Sequence, residues 1–514
     1  MIRNRLLLLI ITVISSFQTF SQTESGPMRV EIEARAEVFN LIPCSEKGIL
    51  VFYETINQVD QQNKSWFFVQ YNTQLNTLWT KEIPILMDFM FQSYRFESDH
   101  IYLAFQKMSK ARSEDFTFQL MKLDLLTGES VTYSIYTPFP AEIVRFEISA
   151  NQLILGMNYG KEQAMILMKD LTTGSENTVK FADYPTFIKD IKWSTETGKI
   201  YTTLNVYLTK KESSLYLNSY DLNGQLARTI TLTPPRVSER LMNGQIHLDQ
   251  DENLFVLGTF NNLNGKSTKS ETTGKGEQSE GFYIAGINEG NQKFLQTYGL
   301  LEFKNITNIL NNQQLAAAGN LMKKQSKQGK EQSLVYDFLI HDLRVDGDNF
   351  VMVADAYYPE YRQISTMSYD FYGRPMPYYY TVFEGYRYFN AFVVGFNRQG
   401  ELLWSNGIKI WDVQSMQLLQ KTAVFNDGKE LVIFYNHDGK IVSKVIEGYD
   451  DIGNVENTKI ATGFTGDVLL ENSQGNISHW YRDYFVAYGY QILQNNTKGG
   501  ERRKVFYFNK IALN

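Results

Sequence analysis

A strand–turn–strand unit recurs along this chain, and it restricts the fold to a stacked repeat. Its clearest copy is the stretch 390–408, NAFVVGFNRQGELLWSNGI. Ala391, Val393, Gly395 and Asn397 alternate with Phe392, Val394 and Phe396. Successive side chains of a strand point to opposite faces. Apolar residues in both sets mark a strand that is covered on both sides. Asn397-Arg398-Gln399-Gly400 supplies the turn, and Glu401–Trp404 opens the second strand.

Weaker copies lie at 67–83, 118–135, 164–181, 215–232 and 282–300. Their turn residues are Asn72, Asp124, Asp170, Asp221 and Asn288, followed by Asn397, at gaps of 52, 46, 51, 67 and 109. A period near 40–50 residues with about four short strands per unit is the mark of a β-propeller. A second kind of strand pair precedes the copies, as in EISANQLILGMNYG at 147–160, IHLDQDENLFVLGTFN at 246–261 and LRVDGDNFVMVADAYY at 343–358. The pattern predicts inner strands from these pairs and outer strands from the copies.

IHLDQDENLFVLGTF and NAFVVGFNRQGELLWSNG together resemble the bacterial β-propeller repeat family. Its units join a D-x-x-G/N-apolar strand to an N-A-F-V…G-x-L-L-W-S hairpin. The resemblance covers about a fifth of the chain. It implies a four-stranded blade and carries no common activity.

The expected fold is therefore all-β, a single seven- or eight-bladed β-propeller over 22–514. The stretch from Asn288 to Asn397 is two periods long. It holds either a degenerate blade, with an inner pair at 306–322, or one blade with a large insertion. KVFYFNKIAL near the C-terminus reads as a third strand with no fourth behind it. MRVEIEARAEVF at 28–39 is expected to supply that strand and close the ring. The only short helical candidate is 414–420.

Residues 1–21 read as a signal peptide: Arg3 and Arg5, an apolar run at 6–14, then Thr19-Phe20-Ser21 as a small-residue cleavage site. The expectation is export to the periplasm or cell surface, with no transmembrane segment in the mature chain. The net charge of −6 gives no reason to expect nucleic acid. Cys44 is the single cysteine, so no intrachain disulfide forms, and it reads as a core residue.

No zinc spacing, Gly-rich phosphate loop or G-x-S-x-G elbow is present. Ser194–Tyr201 reads as a hairpin turn, and so do Asp342, Asp346, Asp348 and Asn349, which could otherwise offer calcium oxygens. The sequence thus names no catalytic, cofactor-binding or metal residue and implies no cofactor.

Long insertions are expected on one face of the disc, at the connection between second and third strands. Several are basic, including Lys107, Arg502, Arg503 and Lys504. The insertion at 357–390 is different. Tyr357, Tyr358, Tyr361, Tyr369, Tyr372, Tyr378, Tyr379, Tyr380, Tyr386 and Tyr388 crowd it together with Arg362, Arg374 and Arg387. Tyr and Arg are enriched in binding hot spots. This insertion either binds a partner or folds over its own blade as a lid. The functional expectation is a non-catalytic, protein-binding or scaffolding propeller of the cell envelope, within an envelope or secretion assembly. The alternative is a carbohydrate-binding or carbohydrate-cleaving propeller.

Overall fold

The computed structural model describes residues 20–21 and 28–513, apart from 36, 108–117, 138–140, 161–162, 182, 210–211, 250–251, 263–277, 304–334, 370, 427–429, 447–453 and 498. All of the expected signal peptide except Phe20–Ser21, and the inner pair at 306–322, thus lie outside the described residues. Among the described residues the chain forms eight antiparallel sheets, each a blade four strands wide, with the strands in chain order except in blade 8, whose outermost strand comes from the N-terminal end. Blades 1 to 8 run 39–86, 89–135, 141–181, 186–232, 239–299, 337–415, 422–459 and 467–513. Among the described residues the two-period stretch contributes one blade, and eight blades are formed.

The recurring Asn and Asp residues occupy the turn between third and fourth strands for a local reason. Their side chains cap the backbone of the turn. Asp124 Oδ1 accepts the N–H of Leu126 and Thr127 at 2.9 and 2.8 Å. Asp170 does the same with Thr172 and Thr173, Asp221 with Asn223 and Gln225, and Asn397 with Gln399 and Glu401.

Eight buried apolar clusters hold the disc together, and each spans two neighbouring blades. Leu50, Phe52 and Phe68 of blade 1 meet Leu103 and Phe105 of blade 2. The series continues through blades 2–3, 3–4, 4–5, 5–6, 6–7 and 7–8. It closes where Trp480, Phe506 and Phe508 of blade 8 pack on Phe39, Ile49 and Val51 of blade 1. The Cys44 thiol is buried in the first of these clusters, and burial pushes its pKa up to about 12.

Polar rungs accompany the apolar contacts. The seventh residue of the second strand reaches the innermost strand of the next blade in five blades: Gln106, Asn158, Asn205, Asp355 and Tyr490. Asn158 accepts the Ile188 N–H at 2.8 Å and donates to the Ile188 carbonyl at 3.1 Å. Gln106 donates to the Ala141 carbonyl, and Asn205 to that of Met242. Asp355 Oδ2 accepts the Lys421 N–H at 2.7 Å, and the Tyr490 hydroxyl accepts that of Phe39 at 2.8 Å. These bonds satisfy backbone groups on the inner edge of five of the sheets.

Closure follows the expected route. Arg29–Glu33 pairs antiparallel with Glu501–Leu513 and forms the fourth strand of blade 8. Its side chains are tied in. Arg29 bonds Glu31 at 2.7 Å, Gln491 at 2.8 Å, and Asn509 and the Ala461 carbonyl at 3.0 Å each. Arg503 lies between Glu31 at 3.0 Å and Asp467 at 2.5 Å. The expectation that Arg503 belongs to a basic loop is corrected: Arg502, Arg503 and Lys504 sit in the third strand of blade 8, and Lys107 ends the second strand of blade 2. The helix considered at 414–420 does not form. Gln414 and Ser415 finish the outer strand of blade 6, and Leu419 is held at both its N–H and its carbonyl by the Tyr388 hydroxyl.

Two predictions test these braces. Asn158→Ala strips both bonds from the blade 4 edge and is expected to cost about 1–3 kcal/mol in urea denaturation. The Arg503 hydrogen bonds hold the Asp467 carboxyl down at about 2, against an ordinary value of 3.8. A depressed pKa stabilises the fold above the unfolded value. This contribution is present above pH ~4 and lost as pH falls from ~4 to ~2. Protection of the Glu501–Leu513 amides, taken as the exchange rate relative to that of an unstructured peptide at the same pH, should fall over that window in wild type and not in Asp467→Asn.

Candidate functional site

The Tyr-rich insertion departs furthest from the blade pattern. The second and third strands of blade 6 run Asn349–Tyr369 and Pro375–Asn397, 21 and 23 residues. Tyr, Ile, Thr and Val at alternating positions suit a strand, and the two remain paired from Asn349↔Asn397 to Tyr369↔Pro375. Their neighbours stop much earlier. The first strand pairs only as far as Tyr357, and the fourth ends at Tyr386↔Ser415. Beyond this point a two-stranded arm of about ten residue pairs, ~30 Å long, leaves the disc. The insertion thus extends its sheet instead of folding back over it.

The departure point is built by specific residues. Bulges after Ala356 and Glu360 re-aim the pair. Gly385 has φ 127°, and a Cβ there would lie 2.8 Å from the Ser415 carbonyl oxygen. Only glycine suits that close approach. Arg387 grips Glu360 at 2.8 Å and Asp412 at 2.5 Å, Gln414 bonds Glu360 at 3.1 Å, and Arg362 pairs with Glu384 at 2.7 Å. A polar cleft of about 460 Å³ lies at this foot, lined by Glu384, Asp412, His437, Asp438 and Gln474.

The candidate residues divide into two groups. Tyr357 and Tyr388 are buried in the core between blades 6 and 7. Tyr386 packs edge-on against Tyr357 at 5.6 Å, and Arg387 belongs to the clamp. These four are structural. Tyr358, Tyr361, Tyr372, Tyr378, Tyr379 and Tyr380 are exposed. Tyr378 and Tyr380 stack at 6.3 Å on the face that also carries Ile364, Val382 and Met376. Tyr361 and Phe383 meet at 5.5 Å on the other face, with Tyr379 and Met367. At the tip Arg374 lies 5.9 Å over the Tyr372 ring, beside Phe371. The Tyr369 side chain lies outside the described residues.

Sequence reasoning missed a charged cluster on the innermost strands. Arg145 Nε is 3.2 Å from Glu147, and its Nη1 is 3.2 Å from Asp190 and 3.8 Å from Asp342. Asp342 comes from a bulge between Asp337–Ile340 and Arg344–Asp346, so blade 6 reaches blade 3 across the axis. Burial lifts the Asp190 carboxyl above its ordinary pKa, while its Oδ2 accepts the Ile246 N–H at 2.7 Å. A second cluster joins His341 Nε2 to Asp355 at 3.1 Å, with the Thr422 hydroxyl at 2.5 Å. Burial alone would raise Asp355; the His341 ring, Thr422 and the Lys421 N–H hold it below its ordinary value. Burial draws Lys421 down to about 8. Asp190, Glu147 and Asp355 each bond a neighbouring side chain or strand. The arrangement braces the inner edge of the disc. Asp346 and Asn349 pair across the turn that joins the first two strands of blade 6.

No protein-family model and no curated protein matches the chain. Solved structures share its general shape at low similarity. The dihydro-heme d1 dehydrogenase NirN covers 94% of this chain with 79% of its own, at 8% identity and a TM-score of 0.42. The polysaccharide lyase Uly1 covers 94% with all of its length, at 11% identity and 0.37. The β-propeller domain of the Trilobed protease from Pyrococcus furiosus covers 81% with 97% of its own, at 9% and 0.33. These likenesses assign no activity to this chain. The architecture rests on its own eight blades and their shared cores.

The two groups of tyrosines are separable by stability. Tyr388→Phe removes the hydroxyl that bridges Leu419 and is expected to cost about 1–2 kcal/mol. Tyr379→Ser on the arm should stay within about 0.5 kcal/mol of wild type. Thermal or urea unfolding of both variants makes the comparison.

Proposed function

We propose that this chain is an exported, non-catalytic propeller of the bacterial cell envelope that holds a protein partner through its aromatic arm. The observation that carries this reading is the arm itself. A two-stranded hairpin is marginally stable in water without further support. This one presents Tyr361, Tyr372, Tyr378, Tyr379 and Phe371 to solvent and, among the described residues, has no third strand along either edge beyond Ser415. Exposed apolar surface of this kind marks interaction sites. Open strand edges add main-chain donors and acceptors that an extended partner segment can pair with.

The test replaces 361–383 with a short Gly/Ser turn, which leaves Tyr357, Tyr388 and the Arg387 clamp in place. The variant should unfold within about 0.5 kcal/mol of wild type. Tagged wild type, drawn from gently solubilised envelope, is expected to retain specific proteins that the variant loses. The same proteins on both, or none on either, would overturn the reading.

A further inference from the structure

The opposite face of the disc, where the tight turns lie, carries a second site that is independent of the arm. A cleft of about 490 Å³ opens between blades 4 and 5. This volume lies within the range of small-molecule sites. One wall is the first hairpin of blade 4, where the Ser194 hydroxyl caps the turn by accepting the Thr197 N–H at 3.1 Å. That hairpin presents Lys199 and Tyr201 to the cleft. The other wall is formed by two turns of blade 5, at Glu252–Leu254 and Ile287–Gly290. Leu217, Leu254 and Ile287 make an apolar floor.

Two acceptors in this cleft lack donors. Asn218 is only 8% exposed, and its amide nitrogen bonds the Tyr220 hydroxyl at 2.8 Å. Its Oδ1 is buried with no hydrogen-bond partner among the described residues. Glu252 Oε2 is buried and unpaired in the same way. Leaving such a group unsatisfied costs about 1–3 kcal/mol, and more for a charged one. A paired alternative in the native setting is therefore expected. Glu252 is also held at φ 58°, a conformation uncommon for a side chain larger than glycine. Its turn is anchored by Asp249, whose carboxylate accepts the Asn253 N–H at 2.8 Å and pairs with Arg398 of blade 6 at 2.7 Å.

Two cations stand at the rim. Arg228 donates to the Glu289 carbonyl at 2.8 Å and lies directly over Gly290. A Cβ at residue 290 would sit 1.8 Å from its Nη1, so glycine there is what lets the guanidinium lie across the turn. Lys199 has no ion-pair partner among the described residues. The cleft thus asks for hydrogen-bond donors at its buried end, an anion at its rim and an apolar face between them.

We infer that this cleft binds a small hydroxylated acid of the hexuronate type. The sugar hydroxyls would donate to Asn218 Oδ1 and Glu252 Oε2. The carboxylate would meet Arg228 and Lys199, as charge-assisted bonds favour. The C–H face of the ring would lie on Tyr201 and Ile230.

Calorimetric titration of the full chain with D-glucuronate and D-galacturonate tests this, with D-glucose, D-galactose, L-glutamate and inorganic phosphate as comparisons. A uronate is expected to bind at least about tenfold more tightly than its neutral hexose. Lys199→Gln, at an exposed position, should remove that preference without touching the fold. Asn218→Leu and Glu252→Gln should each weaken the uronate about tenfold or more. Replacing the arm should leave uronate binding unchanged, so failure of the arm reading does not bear on this site. The inference is overturned if neither uronate binds at about 10 mM, or if the neutral hexose binds as tightly. It is equally overturned if glutamate or phosphate binds as well as a uronate, or if Lys199→Gln retains the wild-type preference.

Discussion

Every other feature of this molecule depends on the mutual burial of blade faces. No blade carries a core of its own; each of the eight apolar clusters is shared between two neighbours. A blade is therefore stable only inside a closed ring, and its middle strands must be apolar on both faces. This explains why Phe392, Val393, Val394 and Phe396 are all buried, although strand geometry sends them alternately to opposite sides. Closure of the ring is accordingly the step with the most at stake. The chain assigns it to a strand from its N-terminal end, locked by Arg29, Glu31, Arg503 and Asp467.

The arm is the place where that rule stops applying. Two strands continue to pair after the strands that flanked them have ended. Residues of one chemical type take different roles on either side of that boundary. Tyr388 lies inside it and serves as a core residue with a bridging hydroxyl; Tyr378 lies outside it and faces water. The clamp of Arg387 with Glu360 and Asp412 marks the border, and Gly385 lets the backbone make the passage. A braced foot sets the direction in which the arm leaves the disc.

The two faces of the disc are built from different connections and offer different chemistry. The face with the second-to-third strand connections projects an aromatic hairpin. The tight-turn face, where Asx-capped turns keep the connections short, carries the cleft between blades 4 and 5. Between them, the inner edges are occupied by Arg145, Glu147, Asp190 and Asp342, each held by a neighbour. Charge there is spent on joining blades 3, 4 and 6.

The sequence by itself determined the repeat, the division of each blade into inner and outer pairs, and the closing strand. These follow from local rules: two-residue alternation, the capping of a turn by an Asn or Asp side chain, and a last unit one strand short. Asp124, Asp170, Asp221 and Asn397 were legible because their hydrogen bonds stay within the turn. Tertiary structure alone decided that the described residues of 288–397 contribute one blade, that Tyr357 and Tyr388 are core while Tyr378 and Tyr379 are surface, and that Arg503 braces the closure. It alone brought Asn218 and Glu252, from different blades, into one cleft. The physical reason is the same in each case. Burial and pairing depend on where a neighbouring strand ends, and that neighbour lies dozens or hundreds of residues away in the chain.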